Sequence, residues 1–285
     1  MKFNLYLFLA ALLIPLTLFS QIEGKKGSEL CSERKRSMTN FFFESDSPNS
    51  PKHSYDVLDY KLNLDIRNCF ITPFLRSFTG SVIVKFRIDS ALSSINLNAI
   101  NTSIVVSSVG MSGVSFTHTG NILNVVLNRV YNPGEITEVQ VNYSHNNIVD
   151  GAIYTGNGGF FTDAPPEGAR KWFPCWDKPS DKATVDITLK VPANVKIGSN
   201  GRLNDSTITG DTAYYHWISR DPVATYLVVL TGKVNYNLNI VYWHKISNPS
   251  DSIPLRFYFN QGENPTAMQN VLVNMTTYFS QKFGE

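Results

Sequence analysis

From Tyr55 onward, apolar and polar positions alternate. Leu58, Tyr60, Leu62, Leu64 and Ile66 fall on one face, and Asp59, Lys61, Asn63 and Asp65 on the other, which is the period of a half-buried strand. The same period returns at Val82, Val84, Phe86 and Ile88, and again at Ala183, Val185, Ile187, Leu189 and Val191. Shorter apolar runs occupy 95–97, 104–109, 123–127 and 139–143, separated by turn formers such as Asn132-Pro-Gly134. Four more strands are expected over 214–218, 226–230, 238–243 and 255–259, with Asn200-Gly201 as a hairpin turn. Many short strands at this spacing predict a mainly β fold, an antiparallel β-sandwich or saddle-like sheet, rather than alternating β and α units. The glycines between 148 and 159 read as a flexible hairpin or bulge, because no Gly-Lys-Ser or Gly-Lys-Thr follows to make a phosphate loop. Only the last segment has a helical period. Asn264 suits an N-cap and Pro265 the first helical position, while Met268, Leu272, Met275 and Phe279 recur on one face that is read as core.

The two ends divide the chain further. Met1-Lys2 followed by the apolar run from Leu5 to Phe19 reads as a signal peptide over residues 1–20. An uncleaved anchor is the alternative, but Pro15 interrupts the run, which is shorter than the roughly 20 residues a spanning helix needs. Residues 21–52 form a polar linker with one aromatic cluster, Phe41-Phe42-Phe43. A β domain is expected over 53–260 and a helix over 261–285. The expected location is therefore periplasmic or extracellular, without strong membrane association after cleavage. The formal net charge of +2 and the 17% charged content offer no basic stripe, so nucleic acid is not an expected partner. Cys31, Cys69 and Cys175 cannot all pair with one another. A Cys31–Cys69 bridge is permitted, and Cys175, between Pro174 and Trp176, reads as a buried, inert thiol.

The densest stretch is Glu167-Gly-Ala-Arg-Lys-Trp-Phe-Pro-Cys-Trp-Asp-Lys-Pro179. Its two prolines stiffen the backbone, and its aromatic rings supply a face to bury against the sheet. The string from Ala169 to Pro179, with Lys182-Ala-Thr184 and Ser199-Asn-Gly201, resembles the amino-terminal domain of the aminopeptidase N-like zinc metallopeptidases, the M1 peptidases. The segments 55–66, 78–86, His216-Trp217 and 222–228 match the same family in the same order. The resemblance implies a zinc aminopeptidase as the complete protein, acting on the free amino terminus of peptide substrates through a catalytic domain that is missing here, of which the helix at 261–285 is the beginning. This chain would cap the substrate cleft and be inert alone.

The residues themselves agree on what is missing. Zinc hydrolases of this kind place two histidines on one helical face as H-E-x-x-H, whereas His53, His118, His145, His216 and His244 include no pair four apart. Zinc is thus expected in the complete protein and not on this chain, which also lacks the family's Gly-x-Met-Glu-Asn motif. Family members carry Gln or Glu in the loop before Ala-Arg, where it meets the substrate's amine. The corresponding positions are Asp163 and Pro165, so Asp163, or else Glu167, is the substrate-binding candidate. Arg170, Trp172, Cys175 and Asp177 read as structural residues of the loop, with Arg170 and Asp177 spaced for a salt bridge or for backbone hydrogen bonds that rigidify it. Trp172, Trp176 and Tyr226 could instead form a stacking platform. The rival readings are a non-catalytic β-rich protein-binding or scaffold module and, more remotely, an exported carbohydrate-binding or adhesion module.

Overall fold

The computed structural model describes residues 54–285. The leader, the linker with its Phe41-Phe42-Phe43 cluster, Cys31 and His53 lie outside the described residues. The largest sheet runs in the order β12 (Arg202–Thr209), β13 (Thr212–Ala224), β10 (Lys182–Pro192), β1 (Tyr55–Asp65), β2 (Phe78–Ile88), β7 (Ile136–His145) and β4 (Ile104–Gly110). All its pairs are antiparallel except the central one, β1 with β10, which is parallel, with Leu62 opposite Ile187. A three-stranded sheet orders β3 (Leu92–Asn98), β6 (Ile122–Tyr131) and β5 (Ser115–Thr119). A four-stranded sheet orders β11 (Val195–Ser199), β14 (Leu230–Val234), β9 (Gly159–Thr162) and β8 (Ile153–Gly156). A hairpin of β15 (Asn237–His244) and β16 (Ser252–Phe259) precedes one helix, α1 (Thr266–Phe283).

The alternating pattern decides which face is buried. Leu62, Leu64, Val82, Val84, Val139, Val141, Ile187 and Leu189 turn to one side of the large sheet. There they join Ile95, Leu97, Leu123 and Val125 of the three-stranded sheet and Phe160, Ile197 and Leu230 of the four-stranded one in a single apolar cluster. Leu58 departs from its expected face. A bulge between Val57 and Asp59 in the pairing with β2 shifts the register, so Tyr55 and Val57 are buried and Leu58 is only half-buried. One extra residue at a bulge reverses which side chains face inward.

Three further expectations change. Asn200-Gly201 does not close a hairpin, because β11 pairs with β14 and β12 with β13; it is a corner that carries the chain from one sheet to another. Gly201 is required there by a φ of +74° and by space, since a Cβ would lie 2.0 Å from the Ile218 carbonyl oxygen. Asn200 clamps the corner, donating to the Leu227 carbonyl at 2.8 Å and accepting from the Val229 N–H at 2.7 Å. The strand expected over 226–230 is instead a 3-10 turn, Thr225–Leu227, with β14 starting at Leu230. The apolar stripe of α1 is not core among the described residues: Met268 is 68% exposed and Phe283 71%, with Met275 and Phe279 also exposed. The helix begins one residue later than expected, so Pro265 rather than Asn264 is its N-cap, without a side-chain capping bond, and Asn264 just ahead of it accepts the Thr266 N–H at 3.0 Å. The glycine-rich segment is the expected hairpin, β8 to β9, turning at Asn157-Gly158 with φ of +49° and +70°.

On the polar face of the large sheet, His216 of β13 lies between Asp186 of β10, at 2.8 Å, and Asp205 of β12, at 3.2 Å. Burial alone would lower the imidazole pKa, but the hydrogen bonds to Asp186 and Asp205 outweigh it and raise the pKa above the ordinary value. A raised folded pKa contributes stability that is fully present below the unfolded value of about 6.5 and is lost as pH rises through the folded pKa. The melting-temperature advantage of the wild type over His216→Gln should accordingly be largest below about pH 6 and shrink towards pH 9. An advantage independent of pH would show that imidazolium charge plays no part.

Candidate functional site

After β9 the chain leaves the four-stranded sheet and enters the large sheet only at β10. Residues 163–181 make this crossing. Thr162 anchors the start by accepting the Leu230 N–H at 3.0 Å, and the Asp163 N–H donates to the Ala152 carbonyl at 2.9 Å. The Gly168 N–H closes a turn onto the Ala164 carbonyl at 2.7 Å, and a Cβ at Gly168 would sit 2.9 Å from that backbone. A short 3-10 turn, Ala169–Lys171, follows. The segment is then hydrogen-bonded to the end of β3 and beyond. Asn98 and Cys175 exchange backbone bonds of 2.7 and 3.1 Å, and the Ile100 N–H donates to the Arg170 carbonyl at 3.0 Å.

Asp177 is the centre of this loop and is completely buried. Its Oδ2 accepts the Arg170 Nε at 2.9 Å and the Arg170 backbone N–H at 3.2 Å, and its Oδ1 accepts the Thr225 hydroxyl at 2.6 Å. Its own N–H donates to Asn98 Oδ1 at 3.0 Å, and its carbonyl accepts from Arg170 Nη2 at 2.7 Å. The expected Arg170–Asp177 ion pair is therefore present, with Arg170 itself 19% exposed. Arg170 also reaches Glu167, whose other oxygen accepts Lys178 Nζ at 2.9 Å. The Lys178 hydrogen bond, with the Arg170 charge added, holds the Glu167 carboxyl below the usual range.

The aromatic residues pack rather than present a platform. Trp172 is buried edge-on to Phe173, with ring centroids 4.5 Å apart, and Phe173 in turn meets Tyr60 at 5.6 Å. Trp176 meets Tyr55 at 5.9 Å, and its backbone N–H donates to the Tyr60 hydroxyl at 3.0 Å. Tyr226 enters no ring contact among the described residues, and Trp172 has no open face, which removes the stacking-platform reading. Cys175 is buried as expected; burial first, and the Asp177 charge second, push its thiol well above the ordinary range, where a thiol is unreactive. Burial pushes the Cys69 thiol up to about 12. The Cys31–Cys69 pairing involves a residue outside the described ones.

Asp163 lies on the solvent side of this loop, exposed, with no side-chain hydrogen bond or ion pair among the described residues. Of the two acidic candidates, Glu167 is thus committed to Arg170 and Lys178, while Asp163 has no such partner among the described residues. The residues that satisfy Asp177 from outside the loop, Asn98 and Thr225, were not singled out from the sequence. Thr225 does fall within the 222–228 segment that carried part of the resemblance. Asp181, at the foot of the loop, was also missed. Burial, with Asp56 adding its charge, raises its carboxyl to about 7.

Among the described residues no group of three His, Cys, Asp or Glu could hold a metal ion. His118 bonds to the Ala99 carbonyl, His145 to that of Arg76 and His244 to that of Pro249. A groove of about 730 Å³, with Arg202, Trp217, Arg256 and Tyr258 in its wall, lies at the edge of the large sheet beside the β15–β16 hairpin; Asp163 and Glu167 do not line it. No described helix is long and apolar enough to cross a membrane.

The family model of the peptidase M1 N-terminal domain matches residues 52–227, from just before β1 to the end of the 3-10 turn that carries Thr225. The chain belongs to the M1 peptidase family. Aminopeptidase M1 of Arabidopsis thaliana is 28% identical over 225 residues, covering 72% of this chain and 24% of that protein. Aminopeptidase M1-A of Oryza sativa subsp. japonica is 29% identical over 203 residues, covering 62% and 22%. The chain therefore spans about a quarter of the length of the curated relatives it matches. Among solved structures, the M1 zinc metallopeptidase of Deinococcus radiodurans superposes with a TM-score of 0.70 at 22% identity, over 81% of this chain and 54% of that one. The matched region thus includes the whole Asp177 network, whereas β14, β15, β16 and α1 follow it.

Removing the Asp177 charge breaks the buried half of the Arg170 network and leaves Glu167 as the carboxylate partner of Arg170, and breaking such a buried pair costs about 3–5 kcal/mol. Asp177→Asn should lower the unfolding free energy by that amount in urea titration. A loss below about 0.5 kcal/mol, the level of an ordinary surface substitution, would show that the ion pair does not hold the loop.

Proposed function

We propose that this chain is the amino-terminal part of an exported zinc aminopeptidase, in which the β domain caps the substrate cleft and α1 opens the catalytic domain. The observation that carries the reading is the match to the M1 N-terminal domain over residues 52–227. The plant relatives, both aminopeptidases, supply the reaction, removal of amino-terminal residues from peptides, and the Deinococcus neighbour, a zinc metallopeptidase, supplies the metal. The described residues do not fit a zinc site, so the metal belongs to the remainder of the protein, where zinc supplies Lewis-acid chemistry at the scissile carbonyl. In this reading the described residues alone neither hold the zinc nor carry out the hydrolysis.

What this chain contributes is a carboxylate on a rigid loop. Asp163 is the exposed acid that offers an acceptor to the substrate's ammonium group, with Pro165 carrying no side-chain acceptor. Glu167 is a positioning residue, holding Arg170 and Lys178. The exposed stripe of Met268, Met275, Phe279 and Phe283 is the surface that the catalytic domain covers. That same stripe also suits the second reading, a non-catalytic module that docks a protein partner.

The reading frame beyond the Glu285 codon separates the two. An aminopeptidase requires Gly-x-Met-Glu-Asn followed by H-E-x-x-H; a stop codon, or a continuation without them, overturns the enzymatic reading. In the complete enzyme, Asp163→Ala should lower kcat/KM for aminoacyl substrates by about 10-fold or more, the cost of one charge-assisted hydrogen bond. Unchanged kcat/KM would remove Asp163 from the site.

A further inference from the structure

Four positions carry the acceptor pattern Asn-x-Ser/Thr with x other than proline: Asn101-Thr-Ser103, Asn142-Tyr-Ser144, Asn204-Asp-Ser206 and Asn274-Met-Thr276. Asn248-Pro-Ser250 and Asn264-Pro-Thr266 are excluded by their central proline. The fold sorts the four. Asn101 clasps two turns together, its amide nitrogen donating to the His118 carbonyl at 3.0 Å and its oxygen accepting the Asn121 N–H. The hydroxyl of its pattern, Ser103, is buried and donates to Asp150 at 2.6 Å. Asn142 sits in β7 between β2 and β4. It is half-buried, donates to Ser108 Oγ at 2.9 Å and accepts from Gln140 at 3.1 Å. A sugar on either nitrogen must displace bonds that join neighbouring strands or turns.

The other two are built differently. Asn204 is exposed on β12, the edge strand of the large sheet, and donates at 2.9 Å only to the exposed Asp205 beside it and, at 3.3 Å, towards His216. A primary amide has two N–H groups, so substituting one leaves the other for Asp205. Asn274 is exposed on α1 and has no side-chain hydrogen bond among the described residues.

We propose that Asn204 and Asn274 carry N-linked glycans. The inference rests on the export reading above, because the donor, a lipid-pyrophosphate-linked oligosaccharide, is met only by a chain that enters a secretory pathway. The Asn amide nitrogen forms a bond to the sugar's anomeric carbon, the bond from that carbon to the pyrophosphate oxygen breaks, and the lipid pyrophosphate departs with the electron pair. The amide proton passes to a base of the transferase. At Asn204 the glycan also has a structural use. A sheet edge with unpaired N–H and C=O groups invites pairing with another chain, and a bulky hydrated group on β12 blocks it.

The chain, with its own leader, would be produced in a eukaryotic secretory host. The secreted protein is then treated with an amidase that releases N-glycans and leaves aspartate at each formerly modified asparagine, and its peptides are mapped by mass. The expected result is conversion at Asn204 and Asn274, with one gel step lost in each of Ser206→Ala and Thr276→Ala and no conversion at Asn101 or Asn142. Sequencing the amino terminus in the same sample tests the export reading separately. A cleaved, secreted chain with unmodified Asn204 and Asn274 overturns the glycan proposal alone. A chain retained in the cytosol with its leader intact overturns the export reading. A version led by a proven secretory leader then decides the glycan question by the same two peptides.

Discussion

The burial of one carboxylate constrains this domain more than any other single interaction. Taking Asp177 out of water costs several kcal/mol, and the cost is offset only because three donors converge on its two oxygens from different parts of the chain. Arg170 comes from the loop itself, Thr225 from the turn before β14, and Asn98, at the end of β3, secures the backbone on the other side. Arg170 and Thr225 have their geometry fixed by the same carboxylate. The loop therefore has one low-energy arrangement, and other arrangements leave a charge unpaired in an apolar surrounding.

That rigidity matters because of where the loop lies. It leaves β9 in the four-stranded sheet and delivers the chain to β10, which is paired in parallel with β1 at the centre of the large sheet. β9 and β10 belong to different sheets, so the connection must cross between layers, and the buried aromatic rings of Trp172 and Phe173 fill the space it crosses. Asp163 stands at one end of this crossing and the central pair of strands at the other. A carboxylate held on such a support has less freedom to lose on meeting a ligand. Glu167 looks equally acidic in sequence, but its two oxygens are occupied in holding Arg170 and Lys178.

Much of this was legible in the alternation of side chains. The inward faces of β2, β7 and β10 follow their period of two, and the burial of Trp172, Cys175 and Asp177 and the Arg170–Asp177 pair agree with charges set among prolines and rings. What was not legible has local causes. The bulge at Leu58 is a register shift against another strand, which the sequence of β1 alone does not encode. Asn200-Gly201 has the conformational preferences of a hairpin, but its flanking strands find partners in two different sheets. Asn98 and Thr225 become important only through a partner 79 and 48 residues away, a distance at which pattern carries no signal. The stripe of α1 has the period of a core face, and among the described residues nothing covers it.

Amide hydrogen exchange across residues 169–177 probes the constraint at its source. The N–H groups of Arg170, Cys175 and Asp177 are all donated inside the loop network, to Asp177, Asn98 and Asn98 respectively. If the buried carboxylate locks the loop to the sheet, these amides exchange only through global unfolding, with the same free energy of opening as the amides of β1 and β10. Exchange orders of magnitude faster than in those strands would mean that the loop opens on its own, and the Asp177 network would then decorate the fold rather than hold it.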